Sequence, residues 1–456
     1  MRRTAWTQAE PAEKLVEREW LVTNGIGGYA SGTLAGFATR RYHGLLIAAL
    51  PAPLGRTVML NHLGEELRLP DGQRLTLSCR EDEQQLQLPC ASVLTEFALD
   101  QGLPVWRFEV AGFVLEKRVL MPHLENSVIL NYRLLEGPGT LRVRLRPSVH
   151  FRPHELHVSA RLFQPYSISI VGQHCELSGE PDYPPLRLRA YGSGGDPHLV
   201  IDAAVHSQLV YRVEAGRGYE SRGALWTPGY FRHDLAPGHE LSLVASTEAW
   251  DAIEALDPEH ARHAEQDRRH RLIAVAPVPA RTGTNAELVL AADQFLITPS
   301  SRFEDATRAR AAGEEQRTVI AGYHWFTDWG RDTMISLEGL TLCTGRAHEA
   351  SCVLRTFAHY VRDGLIPNLF PDHATEGLYH TADATLWFFH AIDRYLAYTN
   401  DLATLELLLP TLHDIVQHHL RGTRFGIGVD PSDGLLTQGA DGYQLTWMDA
   451  KVEDWV

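Results

Sequence analysis

The stretch Trp325-Phe-Thr-Asp328-Trp329-Gly-Arg331-Asp332 decides how the second half of the chain is read. It places two carboxylates, one guanidinium and two indoles in eight residues. Directly after it, from Thr333 to Cys343, apolar residues fall into the i, i+3, i+4 spacing of a helix. The arrangement is therefore an aromatic, charged loop opening a helix. It recurs downstream. Helices are expected downstream over His348 to Val361, Ala382 to Tyr398 and Leu402 to Leu420, and upstream over Ala286 to Ile297. Long loops rich in Gly, Pro, Asp and aromatics, Ile366 to Tyr379 and Phe425 to Trp447, join or follow them. Helices joined by such loops match an α/α toroid whose loops build a pocket at one end, since long loops in a compact fold are more often functional than idle.

Upstream of about residue 280 the character changes. Phe113 to Met121, Val128 to Leu134, Leu141 to Leu145 and Leu186 to Ala190 alternate in the strand manner. Turn signals such as Glu136-Gly-Pro-Gly139 separate them, so residues 1–250 are expected to form an antiparallel β-sandwich. Residues 251–283 are charged, helical and then proline-bearing, and are read as a helical linker into a catalytic domain over 284–456.

Composition narrows the chemistry. The chain has 456 residues, 44% of them hydrophobic, and a formal net charge of −15. A phosphate-binding surface needs a basic face, so nucleic acid and anionic membranes are not expected partners. The five cysteines, Cys79, Cys90, Cys175, Cys343 and Cys352, are odd in number and widely spaced, with no CxxC pair. Neither a disulfide framework nor a structural zinc site is expected, which fits a cytoplasmic protein with reduced thiols. No export signal is read at the N-terminus. No P-loop, G-x-G-x-x-G or G-x-S-x-G motif occurs, and neither a cofactor nor a metal is expected.

Three clusters carry candidate chemistry. In the first, Arg331 and Asp332 suit bidentate hydrogen bonding to sugar hydroxyls, and Trp329 suits stacking on a ring face. Its structural alternative is a helix cap at Asp332 with core aromatics. In the second, Asp383 and Trp387 lie four apart on one helix face, against the alternative of a Thr381 or Asp383 cap and a core Trp387. In the third, Thr446-Trp447-Met448-Asp449, bulky neighbours would keep the Asp449 carboxyl protonated, as a glycosidase general acid requires. His413, His418 and His419 share a helix without a nearby carboxylate and are read as packing or surface residues. Asp328 and Glu376 are further carboxylates without an assigned role.

The tract Asn24-Gly-Ile-Gly-Gly-Tyr-Ala-Ser-Gly lacks phosphate-loop spacing. With its surroundings, Glu19 to Thr33 and Thr39-Arg-Arg-Tyr-His-Gly-Leu-Leu46, it closely resembles the N-terminal domain of bacterial and archaeal glycogen debranching enzymes. Glu116-Lys-Arg, Met121-Pro-His and Arg146-Pro look similar too. Trp329-Gly-Arg-Asp332, Ile366-Pro-Asn368, Thr381-Ala-Asp383 with Trp387, and Thr446-Trp-Met-Asp449 resemble the amylo-α-1,6-glucosidase domain of the same family. The resemblance implies an N-terminal β-sandwich and an (α/α)6 toroid. It implies inverting hydrolysis of the α-1,6-linked glucose stub of glycogen or another α-glucan oligosaccharide. Asp449 would be the general acid. Arg331 and Asp332 would hold the terminal glucose, and Trp329, Asp383, Trp387 and Trp447 would line the pocket. An inverting pair stands roughly 6.5–9.5 Å apart. The family's base looks to lie beyond Val456, so the chain is expected to hold about half the toroid and to be inactive alone. A phosphorylase or glucanotransferase on the same scaffold, and a non-catalytic glycogen-binding protein, are the alternatives.

Overall fold

A computed structural model describes residues 2–7, 10–163, 165–255, 257–311 and 313–448. The chain divides into two compact units, Met1–Leu50 with Arg56–Arg269, and Pro51–Gly55 with His270–Val456. The division falls inside the helix Pro258–Val275.

The first unit is built on antiparallel sheets. A nine-stranded sheet runs Arg2–Ala5, Leu94–Asp100, Leu103–Val110, Phe113–Leu120, Ser127–Glu136, Glu240–Ser246, Leu186–Gly192, His174–Ser178, Ser167–Val171. Two five-stranded sheets accompany it, one centred on Leu141–Ser148 and the other on Gly44–Ala49. The alternation read in the sequence corresponds to burial. In Phe113–Leu120 and Leu141–Ser148 every second side chain is buried, as a sheet with one face on the core requires. Ser127–Glu136 is buried over most of its length because strands flank it on both sides and its two faces are covered.

The glycine tract is a hairpin turn. Glu19–Thr23 pairs with Tyr29–Thr33, and between them Gly25 and Gly27 take φ of 77° and 102°, a region that favours glycine. The Asn24 side-chain oxygen accepts the Ile26 N–H at 3.1 Å and the Asn24 backbone N–H donates to the Gly28 carbonyl, while its side-chain amide donates to the Glu125 carbonyl at 2.9 Å and ties the turn to a neighbouring segment.

The second unit is helical: α1 (Gly283–Phe295), α2 (Phe303–Ala311), α3 (Gly330–Leu340), α4 (Ala347–His359), α5 (Asp383–Thr399) and α6 (Leu402–Arg421). Its core is Met334 and Leu337 of α3, Val353 and Phe357 of α4, Phe388 and Ile392 of α5, and Leu408 and Ile415 of α6. These are the apolar stripes the periodicity marks. The α2 helix has no such stripe. It carries Glu304, Asp305, Arg308 and Arg310, and an Arg308–Asp305 ion pair of 2.9 Å holds its exposed face. Apolar periodicity therefore does not reveal it.

Connection length sets where the functional loops go. The links α3→α4 and α5→α6 are short, so each pair runs antiparallel. Gly345 (φ 79°) and Asn400 (φ 53°) adopt left-handed conformations in them, and the Asp401 side chain caps α6 by accepting the Thr404 N–H at 3.1 Å. The long segments after α4 and after α6 consequently emerge at the end where α3 and α5 begin.

Candidate functional site

Three segments that are far apart in sequence meet at that end. Trp329, the residue before α3, makes a β-bridge with Leu369, and Gly330 N–H donates to the Asn368 carbonyl at 2.7 Å. A Cβ on Gly330 would lie 2.2 Å from the Pro367 carbonyl oxygen, so glycine is required for this approach. Ala382 N–H donates to the Leu445 carbonyl at 2.7 Å, which brings the post-α6 segment to the start of α5. Leu445 is buried with Leu365, Ala382 and Ile427.

The centre of the junction is the Arg331–Asp383 pair. Arg331 Nε donates to Asp383 Oδ2 at 2.8 Å, and the two side chains are only 11% and 15% exposed. The Trp447 N–H donates to the same oxygen at 3.1 Å. Thr381 Oγ1–H donates to Oδ1 at 2.8 Å. Asp383 is therefore the hub that binds all three clusters. It does not cap its own helix; Thr381 Oγ1 faces the Ala384 N–H at 3.4 Å. A guanidinium fixed through Nε leaves its remaining donors for an oxygen-rich ligand.

Asp332 stands in the first turn of α3, half-buried, and its Oδ2 has no hydrogen-bond partner among the described residues. Burial raises its carboxyl pKa above the ordinary 3.8. The Arg331 charge and the backbone N–H at the helix start oppose the rise, and the Asp383 charge adds to it. A raised acid pKa means that folding disfavours the ionised form. The resulting loss of stability is present at neutral pH and fades as the pH falls through the raised value toward 3.8. Asp332→Asn is thus expected to raise the melting midpoint near neutral pH, by an increment that shrinks on acidification. Calorimetric scans across that range check this, and a gain that grows on acidification contradicts it.

The remaining predicted residues fall as follows. Trp329 is half-buried, edge-to-face with the exposed Phe326 at 5.7 Å. Trp387 shares the Asp383 face of α5 but packs against the helical core, with His390 at 5.2 Å. The Trp447 and Met448 side chains are each 69% exposed, so among the described residues they do not form the dry wall expected around the third cluster. Trp447 engages the site through its backbone. Asp449 lies outside the described residues.

Sequence reading missed the support beneath the site. Arg302, with a fully buried side chain, binds Asp328 at 2.5 Å and stacks on Phe370 at 3.7 Å. The Phe370 N–H donates to the Asp328 carbonyl. Asp328 is thus a structural partner, and no local pattern links residues 302 and 328. Glu315, His348 and Cys352 bring donor atoms within 4.8 Å of one another, but Glu315 already pairs with Arg317 at 3.0 Å. No helix among the described residues is long and apolar enough to cross a membrane.

Two family descriptions match the chain: "Glycogen debranching enzyme N terminal" over residues 18–242 and "Amylo-alpha-1,6-glucosidase" over residues 290–456. A glycogen debranching enzyme of Saccharomyces cerevisiae is 38% identical over 89 residues, 18% of this chain and 6% of that enzyme. Among solved structures, a putative kojibiose phosphorylase from the human microbiome is 10% identical with a TM-score of 0.46. That alignment covers 97% of this chain and 62% of the other. A bacterial glucoamylase complexed with acarbose is 12% identical with a TM-score of 0.39, covering 91% and 61%. The chain thus spans under two thirds of each of these relatives.

Proposed function

The chain belongs to the glycogen debranching enzyme family, and from that premise we propose that it hydrolyses the single α-1,6-linked glucose at a branch of glycogen or limit dextrin, with inversion. The observation that carries this reading is the convergence of the three clusters on the Arg331–Asp383 pair, with the unpaired Asp332 oxygen beside it. A terminal glucose offers the hydroxyls that such a guanidinium and carboxylate bind, and exposed Trp325 and Phe326 offer ring faces. The helical unit is read as an α/α toroid and the β unit as a sandwich. Trp329, Trp387 and Trp447 help to line the sugar pocket. Asp449, two residues beyond the anchored Trp447 N–H, protonates the glycosidic oxygen. The base that activates water has no assignment among these residues.

The test is product identity. Limit dextrin is incubated with the native enzyme that carries this chain, with and without inorganic phosphate, and followed by proton NMR from the first minutes. The expected product is free glucose, initially as the β-anomer, in equal amount under both conditions. Glucose 1-phosphate would overturn hydrolysis in favour of phosphorolysis. Initial α-glucose would overturn inversion.

A further inference from the structure

The helical unit contains a cavity of about 640 Å³ whose walls include none of Arg331, Asp332, Asp383 or Trp447. This volume lies within the range of ordinary ligand pockets. Its walls come from Pro51 and Ala52, from the start of α2 and from the long segments after α4 and α6, which also build the glucose site. Phe303, the first residue of α2, stands in the wall with 63% of its surface exposed. Beside it Arg302 is fully buried, and its Nε and Nη1 have no acceptor among the described residues. Tyr379 adds a ring, with the Arg424 guanidinium 5.6 Å from its centroid.

The charges around the cavity decide the ligand class. Carboxylates of Glu304, Asp305 and Glu376 share the walls with guanidiniums of Arg308, Arg362 and Arg424, where Arg308 pairs with Asp305 at 2.9 Å and Arg424 with Asp363. An anion would meet three carboxylates, and an apolar ligand would strand six charges from water. A neutral polyhydroxyl chain donates to the carboxylates, accepts from the guanidiniums and lays its C–H faces on Phe303 and Tyr379. We infer that this cavity is a second α-glucan-binding site, which holds an outer stretch of the chain whose branch stub occupies the Arg331–Asp383 site. The inference rests on the glucan reading of that first site.

The test is calorimetric titration of the full chain with maltohexaose. Phe303→Ala removes the exposed ring, and Thr375→Trp fills the cavity from an exposed wall position. Neither side chain supports the core, and unchanged melting midpoints verify that both variants fold. The expected result is saturable binding by the wild-type chain that weakens roughly tenfold in Phe303→Ala, the loss of one stacked ring, and further in Thr375→Trp. Unchanged affinity and stoichiometry in both variants would overturn the second site, while glucose release from limit dextrin would leave the first reading standing. Weakened maltohexaose binding in both variants, with no glucose release by the native enzyme that carries this chain, would support the cavity and overturn the hydrolase reading. A parallel titration with inorganic phosphate separates anions. Phosphate binding lost in Arg308→Ala, with no maltohexaose binding to the wild-type chain, would overturn the glucan assignment.

Discussion

Asp449→Asn is expected to lower glucose release from limit dextrin by roughly 10²–10⁴-fold, the usual contribution of a positioned general acid. The leaving group is a sugar alkoxide, which departs poorly unless protonated as the bond breaks. Asparagine keeps the size and removes the proton. The segment leading to it is held at the site, because Leu445 accepts from Ala382 and the Trp447 N–H donates to Asp383. A second substrate separates acid loss from general damage. In α-glucosyl fluoride the leaving group is fluoride, which needs no protonation, so the variant should retain most of its activity there. Equal losses on both substrates would point to a binding or folding defect. Unchanged release from limit dextrin would end the acid assignment.

Asp383→Ala is the second large effect, and it acts on stability and turnover together. Its carboxylate accepts from Arg331, Trp447 and Thr381, and removing it strands a guanidinium that is only 11% exposed. Breaking a nearly buried ion pair from one side costs about 3 kcal/mol, measurable as a lower denaturant midpoint. Because the same oxygen orients Arg331 and anchors the segment before Asp449, kcat/KM should fall by at least roughly 10²-fold, equivalent to about 2.7 kcal/mol of transition-state stabilisation. Asp383→Asn keeps one acceptor oxygen and should lose less of both. A full stability loss with unchanged kcat/KM would make Asp383 a structural residue only.

The sequence read well where contacts are local and poorly where they are not. Alternation in Phe113–Leu120 and Leu141–Ser148 and the apolar stripes of α3 to α6 reflect one buried face each, which short-range spacing reports directly. The charged helix α2 shows no apolar stripe, and its ion pair leaves no periodic mark. The candidate site was legible as three separate clusters of suitable chemistry. That Asp383 ties them together was not, since its partners lie 52 and 64 residues away. Trp447 illustrates the same limit: its type pointed to a stacking ring or a dry wall, whereas the structure uses its backbone N–H and leaves the indole exposed. That Arg302 pairs with Asp328 was not legible, because a buried ion pair carries no local signature.

The Arg331–Asp383 junction is proposed to hold the terminal glucose of a branch. This role is tested most directly by a crystal structure of the protein soaked with a maltooligosaccharide bearing one α-1,6-linked glucose. The branch glucose is expected with its hydroxyls about 3 Å from the Arg331 guanidinium and the free Asp332 oxygen. Glucose bound elsewhere, with both of those groups untouched, would contradict it.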